Sequence, residues 1–72
     1  MPPLPVVSGD QCMAALRTFG YEVARSDGSH YRLTCPGRAP VTVPRHRTLK
    51  RGTLRAILRT TEISMQAFVD AL

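Results

Sequence analysis

No stretch of this 72-residue chain approaches the run of about 20 apolar residues that crosses a bilayer, so a membrane-spanning helix is not expected. The first seven residues, MPPLPVV, have neither the charged start nor the apolar length of a secretory leader, and a cytoplasmic location without a membrane partner is expected. Cysteine is limited to Cys12 and Cys35, whose separation matches no metal-ligand spacing; both read as small core residues in a reducing compartment, and no metal or other cofactor is expected. Aromatic residues are few, Phe19, Tyr21, Tyr31 and Phe68, and their apolar spacing reads as core rather than as a platform for stacking bases. Length excludes a deep, walled pocket, because a chain this short buries only roughly 60% of the surface its unfolded form exposes. Any chemistry must take place on an open face or shallow groove, which suits an extended polymer better than an enclosed small molecule.

Acidic residues are missing where basic ones concentrate. From Cys35 to Arg59 there are seven basic residues, Arg38, Arg45, Arg47, Lys50, Arg51, Arg55 and Arg59, and no acidic one, in a chain of formal net charge +5. That distribution describes a cationic surface facing phosphates or an acidic protein, although a basic run alone is equally a solvated face.

Residues 1–72 are expected to form a single domain behind an extended lead-in, residues 1–7, which carries Pro2, Pro3 and Pro5. In SGDQ, Ser8 caps a helix over about residues 9–19 and Gln11 closes a capping box, with Cys12, Leu16 and Phe19 as the buried stripe and Gly20 as a left-handed stop. YEVAR and HYRLTC alternate as strands do, and Gly28 marks the hairpin between them. A three-residue loop, Ser26-Asp27-Gly28 with Gly28 left-handed, pairs Val23 with Tyr31 and Tyr21 with Leu33 on a core face. It sets Ala24 opposite His30 and Glu22 opposite Arg32 on the outer face. His30 then points to solvent. PGRAP turns the chain into a short third strand, VTVP, stopped by Pro44. After the loop RHRTLKRG, Leu54, Ile57 and Leu58 form a buried helix stripe beside a cationic one, Arg51, Arg55 and Arg59. Ser64 caps a last short helix bearing Met65, Phe68, Val69 and Leu72, with Ile63 stapled onto Phe68. Helix, three antiparallel strands, helix and short helix predict a two-layer α+β domain with one open sheet face.

The segments LPVVSG, ALRTFGYEVARSDGSHYRL, VTVPRH and LKRGTLRAIL, in this order and spacing, resemble the HicA family of toxin ribonucleases from bacterial toxin-antitoxin pairs. The resemblance runs almost end to end. It implies a double-stranded-RNA-binding-domain-like α-β-β-β-α fold, cleavage of mRNA, and silencing by a HicB-type antitoxin. The catalytic histidine of the family's Gly-Ser-His motif falls on His30, after Gly28 and Ser29. One departure is Arg51, where many relatives have proline before Gly-Thr-Leu.

The residues permit that chemistry. RNA carries its own nucleophile, the 2′-hydroxyl, so cleavage needs alignment, a base and charge stabilisation but no metal; histidine exchanges its proton between about pH 5 and 8. His30 is the candidate base. Ser29 either orients substrate or finishes the turn, and Gly28 is a structural turn residue. Arg32, on the same face as His30, is the nearest candidate for the scissile phosphate. Arg45, His46, Arg47, Lys50 and Arg51 are candidate backbone contacts, the last two at a helix start that attracts phosphate. His46 is also the only other histidine available as an acid. The alternative is a non-catalytic double-stranded-RNA-binding module that reads duplex shape through its basic helix and loop.

Overall fold

A computed structural model describes residues 3–72; Met1 and Pro2, the start of the expected lead-in, lie outside the described residues. Helix α1, Gly9–Arg17, opens on the capping box its spacing predicts: the Gln11 amide donates to Ser8 Oγ at 3.0 Å and the Ser8 amide to Gln11 Oε1 at 2.9 Å. It stops two residues before the expected end. Thr18, Phe19 and Gly20 turn instead, with Gly20 at φ +98°, and Ala15 rather than Phe19 joins Cys12 and Leu16 in the buried stripe. Burial pushes the Cys12 thiol up to about 12, so it remains protonated at neutral pH.

Strands β1 (Glu22–Ser26), β2 (His30–Cys35) and β3 (Arg38–Pro44) form one antiparallel sheet in that order. The third strand is longer than VTVP because the turn needs only Pro36 and Gly37, the latter at φ +79°. Pro40 is tolerated within β3 because that strand is an edge. Helices α2 (Arg51–Thr61) and α3 (Met65–Asp70) complete the order. This is the two-layer α+β, double-stranded-RNA-binding-domain-like layout with a short third helix.

The core joins Leu16 of α1, Tyr21, Leu33 of β2, Val41 and Val43 of β3, Leu54 and Ile57 of α2 and Phe68 of α3. Burying side chains of this size stabilises the fold by roughly 1.5–3 kcal/mol each. Ile63 is buried with Phe68 as the staple requires, whereas Leu72 is 54% exposed and extends beyond the core. The start of α1 seats directly on the end of β3. The Gly9 amide donates to the His46 carbonyl at 2.9 Å, and a Cβ at Gly9 would overlap the Pro44 carbonyl oxygen, so only glycine permits this approach.

The hairpin departs from its expected register. Observed pairs are Glu22 with Thr34, Val23 with Leu33, Arg25 with Arg32 and Ser26 with Tyr31, and Ala24 is the extra residue of a bulge. Val23, although it lies opposite the buried Leu33, is 38% exposed on the edge strand β1 instead of part of the core, and Glu22 faces Thr34 instead of Arg32. Gly28 lies in the turn, but not in the left-handed conformation expected of it. The Asp27 side chain sets the reversal instead, by accepting from the Ser29 and His30 amides.

Candidate functional site

The turn before His30 is organised by one carboxylate. Asp27 Oδ1 accepts from the Ser29 amide at 2.7 Å, the His30 amide at 2.8 Å and the Ser29 hydroxyl at 3.0 Å. The Asp27 amide closes the loop by donating to the His30 carbonyl at 3.0 Å. Aspartate opens turns in this way because its short side chain reaches amides two and three residues ahead. The Ser29 amide first, then the His30 amide and the Ser29 hydroxyl, hold the Asp27 carboxyl below its ordinary range, so it is ionised at neutral pH. Ser29 Oγ also lies 2.9 Å from His30 Nδ1.

His30 is exposed, on the sheet face opposite the helices. Strand alternation puts Arg32 on the same face, since Tyr31 and Leu33 pair with the inward-facing Val43 and Val41. A shallow recess of about 290 Å³ is lined by Arg25, Ser26, Asp27, His30, Arg32 and Thr42. Arg25 and Arg32 are direct cross-strand partners. Like charges so placed are destabilising by some tenths of a kcal/mol unless an anion lies between them. Arg32 is steadied by Thr42, to whose hydroxyl its Nη1 donates at 2.8 Å. A second groove, about 340 Å³, continues from Arg32 and Thr42 past Pro44 to Thr53 and Thr60 of α2. The two together make an open track, with cations at the histidine end.

Of the residues expected at the site, His30, Ser29, Gly28 and Arg32 come together at the hairpin. Arg45 adjoins them but is engaged within the fold. Its guanidinium lies 4.7 Å from the Tyr31 ring centroid, donates to the Asp27 carbonyl at 3.0 Å and approaches Asp10 at 3.9 Å, while its amide donates to the Ser29 carbonyl at 2.8 Å. Tyr31 in turn donates to Asp10 at 2.6 Å, a bond that pushes its phenol above the ordinary value. Arg45 thus braces the hairpin against α1. His46, Arg47, Lys50 and Arg51 are exposed on the β3–α2 loop and the first turn of α2, outside the recess. Lys50 occupies the cap position of α2 without a side-chain cap bond. Arg38, part of the basic run, instead donates to the Thr61 carbonyl at 2.6 Å at the end of α2.

Arg25, Asp27 and Thr42 escaped the sequence reading. Simple alternation put Arg25 on the core-facing side of β1, and only the bulge brings it beside Arg32. Asp27 carried one available signal, an aspartate two residues before a serine amide in a turn. Among the described residues no three His, Cys, Asp or Glu side chains converge as a metal site, and no helix is long and apolar enough to cross a membrane.

The family model described as HicA toxin of bacterial toxin-antitoxin matches residues 9–63, from the first residue of α1 to the second residue after α2. The span includes the whole hairpin. No curated protein matches the chain.

Proposed function

The chain belongs to the HicA family of toxins from bacterial toxin-antitoxin systems, and from that premise we propose that it is an endoribonuclease that cleaves mRNA with His30 as general base. A toxin of such a pair has an antitoxin partner; we assign it to the HicB type, acting by covering the recess, and place the encounter with mRNA in the cytoplasm. The observation that carries the reading is the exposed imidazole of His30 in an open recess beside two facing arginines.

His30 Nε2 takes the proton of a ribose 2′-hydroxyl as that oxygen forms a bond to the adjacent phosphorus. The bond from phosphorus to the 5′-oxygen breaks, and that oxygen takes a proton from water. The products are a 2′,3′-cyclic phosphate and a 5′-hydroxyl end. Arg25 and Arg32 neutralise the phosphorane, which carries more negative charge than the diester, and so favour the transition state over the bound substrate. His46 is exposed outside the recess, which favours water over His46 as the proton donor. Arg47, Lys50 and Arg51 supply sequence-independent backbone contacts.

The test is a short RNA, in excess EDTA, with and without a single 2′-deoxy nucleotide at the mapped cut site. Cleavage of the all-ribose strand to cyclic phosphate ends, with the substituted strand intact at that position, is expected. Cleavage of both strands, or 5′-phosphate ends, would rule out this route. Binding of duplex RNA with no cleavage at all would favour the non-catalytic binding module.

A further inference from the structure

We infer that Asp27, acting through the Ser29 hydroxyl, holds His30 in the tautomer protonated on Nδ1 and so leaves the Nε2 lone pair facing the recess as the base. The inference rests on His30 being the base, and it makes Asp27 and Ser29 positioning residues rather than phosphate contacts.

An ionised carboxylate only accepts hydrogen bonds, so at 3.0 Å the Ser29 hydroxyl must donate to Asp27 Oδ1. That hydroxyl has one proton. With it directed at Asp27, Ser29 Oγ meets His30 Nδ1 at 2.9 Å as an acceptor, and Nδ1 must carry the hydrogen. Neutral imidazole bears only one N–H, so Nε2 is unprotonated. The opposite polarity, Ser29 donating to Nδ1, would leave its lone pairs against an anionic oxygen 3.0 Å away. It would also put the imidazole proton on Nε2, where no base can act.

The relay remains correctly polarised through the reaction. When Nε2 accepts the 2′-hydroxyl proton, the Nδ1–H to Ser29 bond persists and Asp27 lies two hydrogen bonds from the new positive charge. The carboxylate thus favours the imidazolium formed in the transition state, while its bonds to the Ser29 and His30 amides fix the start of β2. Partners that orient a metal-bound histidine are typically worth about 10- to 100-fold in activity, and a loss at the lower end of that range is expected here.

Ser29→Ala separates this role from turn formation, because both amide bonds to Asp27 survive it. Imidazole nitrogen NMR on the wild-type protein, with neutral His30, is expected to show the proton on Nδ1. In Ser29→Ala the Nε2–H form should rise to the majority, kcat should fall about 10-fold with KM nearly unchanged, and Ser29→Thr, which keeps the hydroxyl, should restore most of the loss. Asp27→Asn should shift the tautomer balance in the same direction. A wild-type proton on Nε2, or a Ser29→Ala variant with unaltered tautomer and kcat, overturns the relay. His30→Ala assayed in parallel separates the failures: loss of cleavage there with Ser29→Ala unaffected refutes the relay alone. Undiminished cleavage by His30→Ala refutes both the ribonuclease reading and the base role that the relay serves.

Discussion

Arg25 shows how much one inserted residue changes. Without the Ala24 bulge its side chain would lie on the sheet face that packs against the helices; with it, Arg25 stands opposite Arg32 on the open face. His30 and Arg32 were legible in the sequence because β2 alternates regularly and its inward residues are apolar. Arg25 and Asp27 were not, because a bulge has no period and because Gly28 offered a more familiar turn signal than the aspartate before it. The facing arginines imply opposed effects of Arg25→Ala. Removing one cation should lower the slope of log affinity for single-stranded RNA against log salt by about 0.7. The same change relieves like-charge repulsion and should stabilise the free protein by about 0.2–1 kcal/mol. Salt-dependent binding and urea unfolding of the same variant read both effects, and a variant with weaker folding and an unaltered salt slope would show that Arg25 does not face phosphate.

At the scale of elements, the order of helices and strands was legible because each carries its own period and caps: Ser8 and Ser64 are the helix caps that their spacing indicated. The end of α2 was less legible. The residue after it, Glu62, has φ +57° and ψ 31°, a left-handed conformation usually given to glycine, and its amide donates back to Leu58 and Arg59. Its carboxylate also sits at the negative end of the helix dipole. Both features oppose the residue chosen. Arg38 partly offsets them by donating to the Thr61 carbonyl. Glu62→Gly should therefore stabilise the domain by about 1 kcal/mol, the order of the left-handed penalty. For a chain this small that is a rise of about 1 M in the urea midpoint. A lower midpoint would mean that the Glu62 side chain makes a favourable contribution the backbone geometry does not reveal.

Across the whole molecule, the net charge of +5 divides into cations with different duties. Arg38 caps a helix and Arg45 braces the hairpin, so neither is a plain surface charge, although both lie in the basic run. Arg25 and Arg32 flank His30, while Arg51, Arg55 and Arg59 are exposed along α2, away from the recess. Composition reveals the sum and the run but not this division, which depends on which carbonyls and rings the fold brings within reach. The one open face follows from size: among the described residues three short helices cover one side of the three-stranded sheet, and the other faces solvent. In the mechanism proposed, the imidazole of His30, on that face beside Arg25 and Arg32, is the general base. Single-turnover cleavage of an RNA by wild type and by His30→Ala, in EDTA and with matched urea midpoints, tests this most directly. The alanine variant should cleave about 10² to 10⁴ times more slowly, the range of positioned general-base catalysis. Equal rates from two equally stable proteins would contradict the role given to His30.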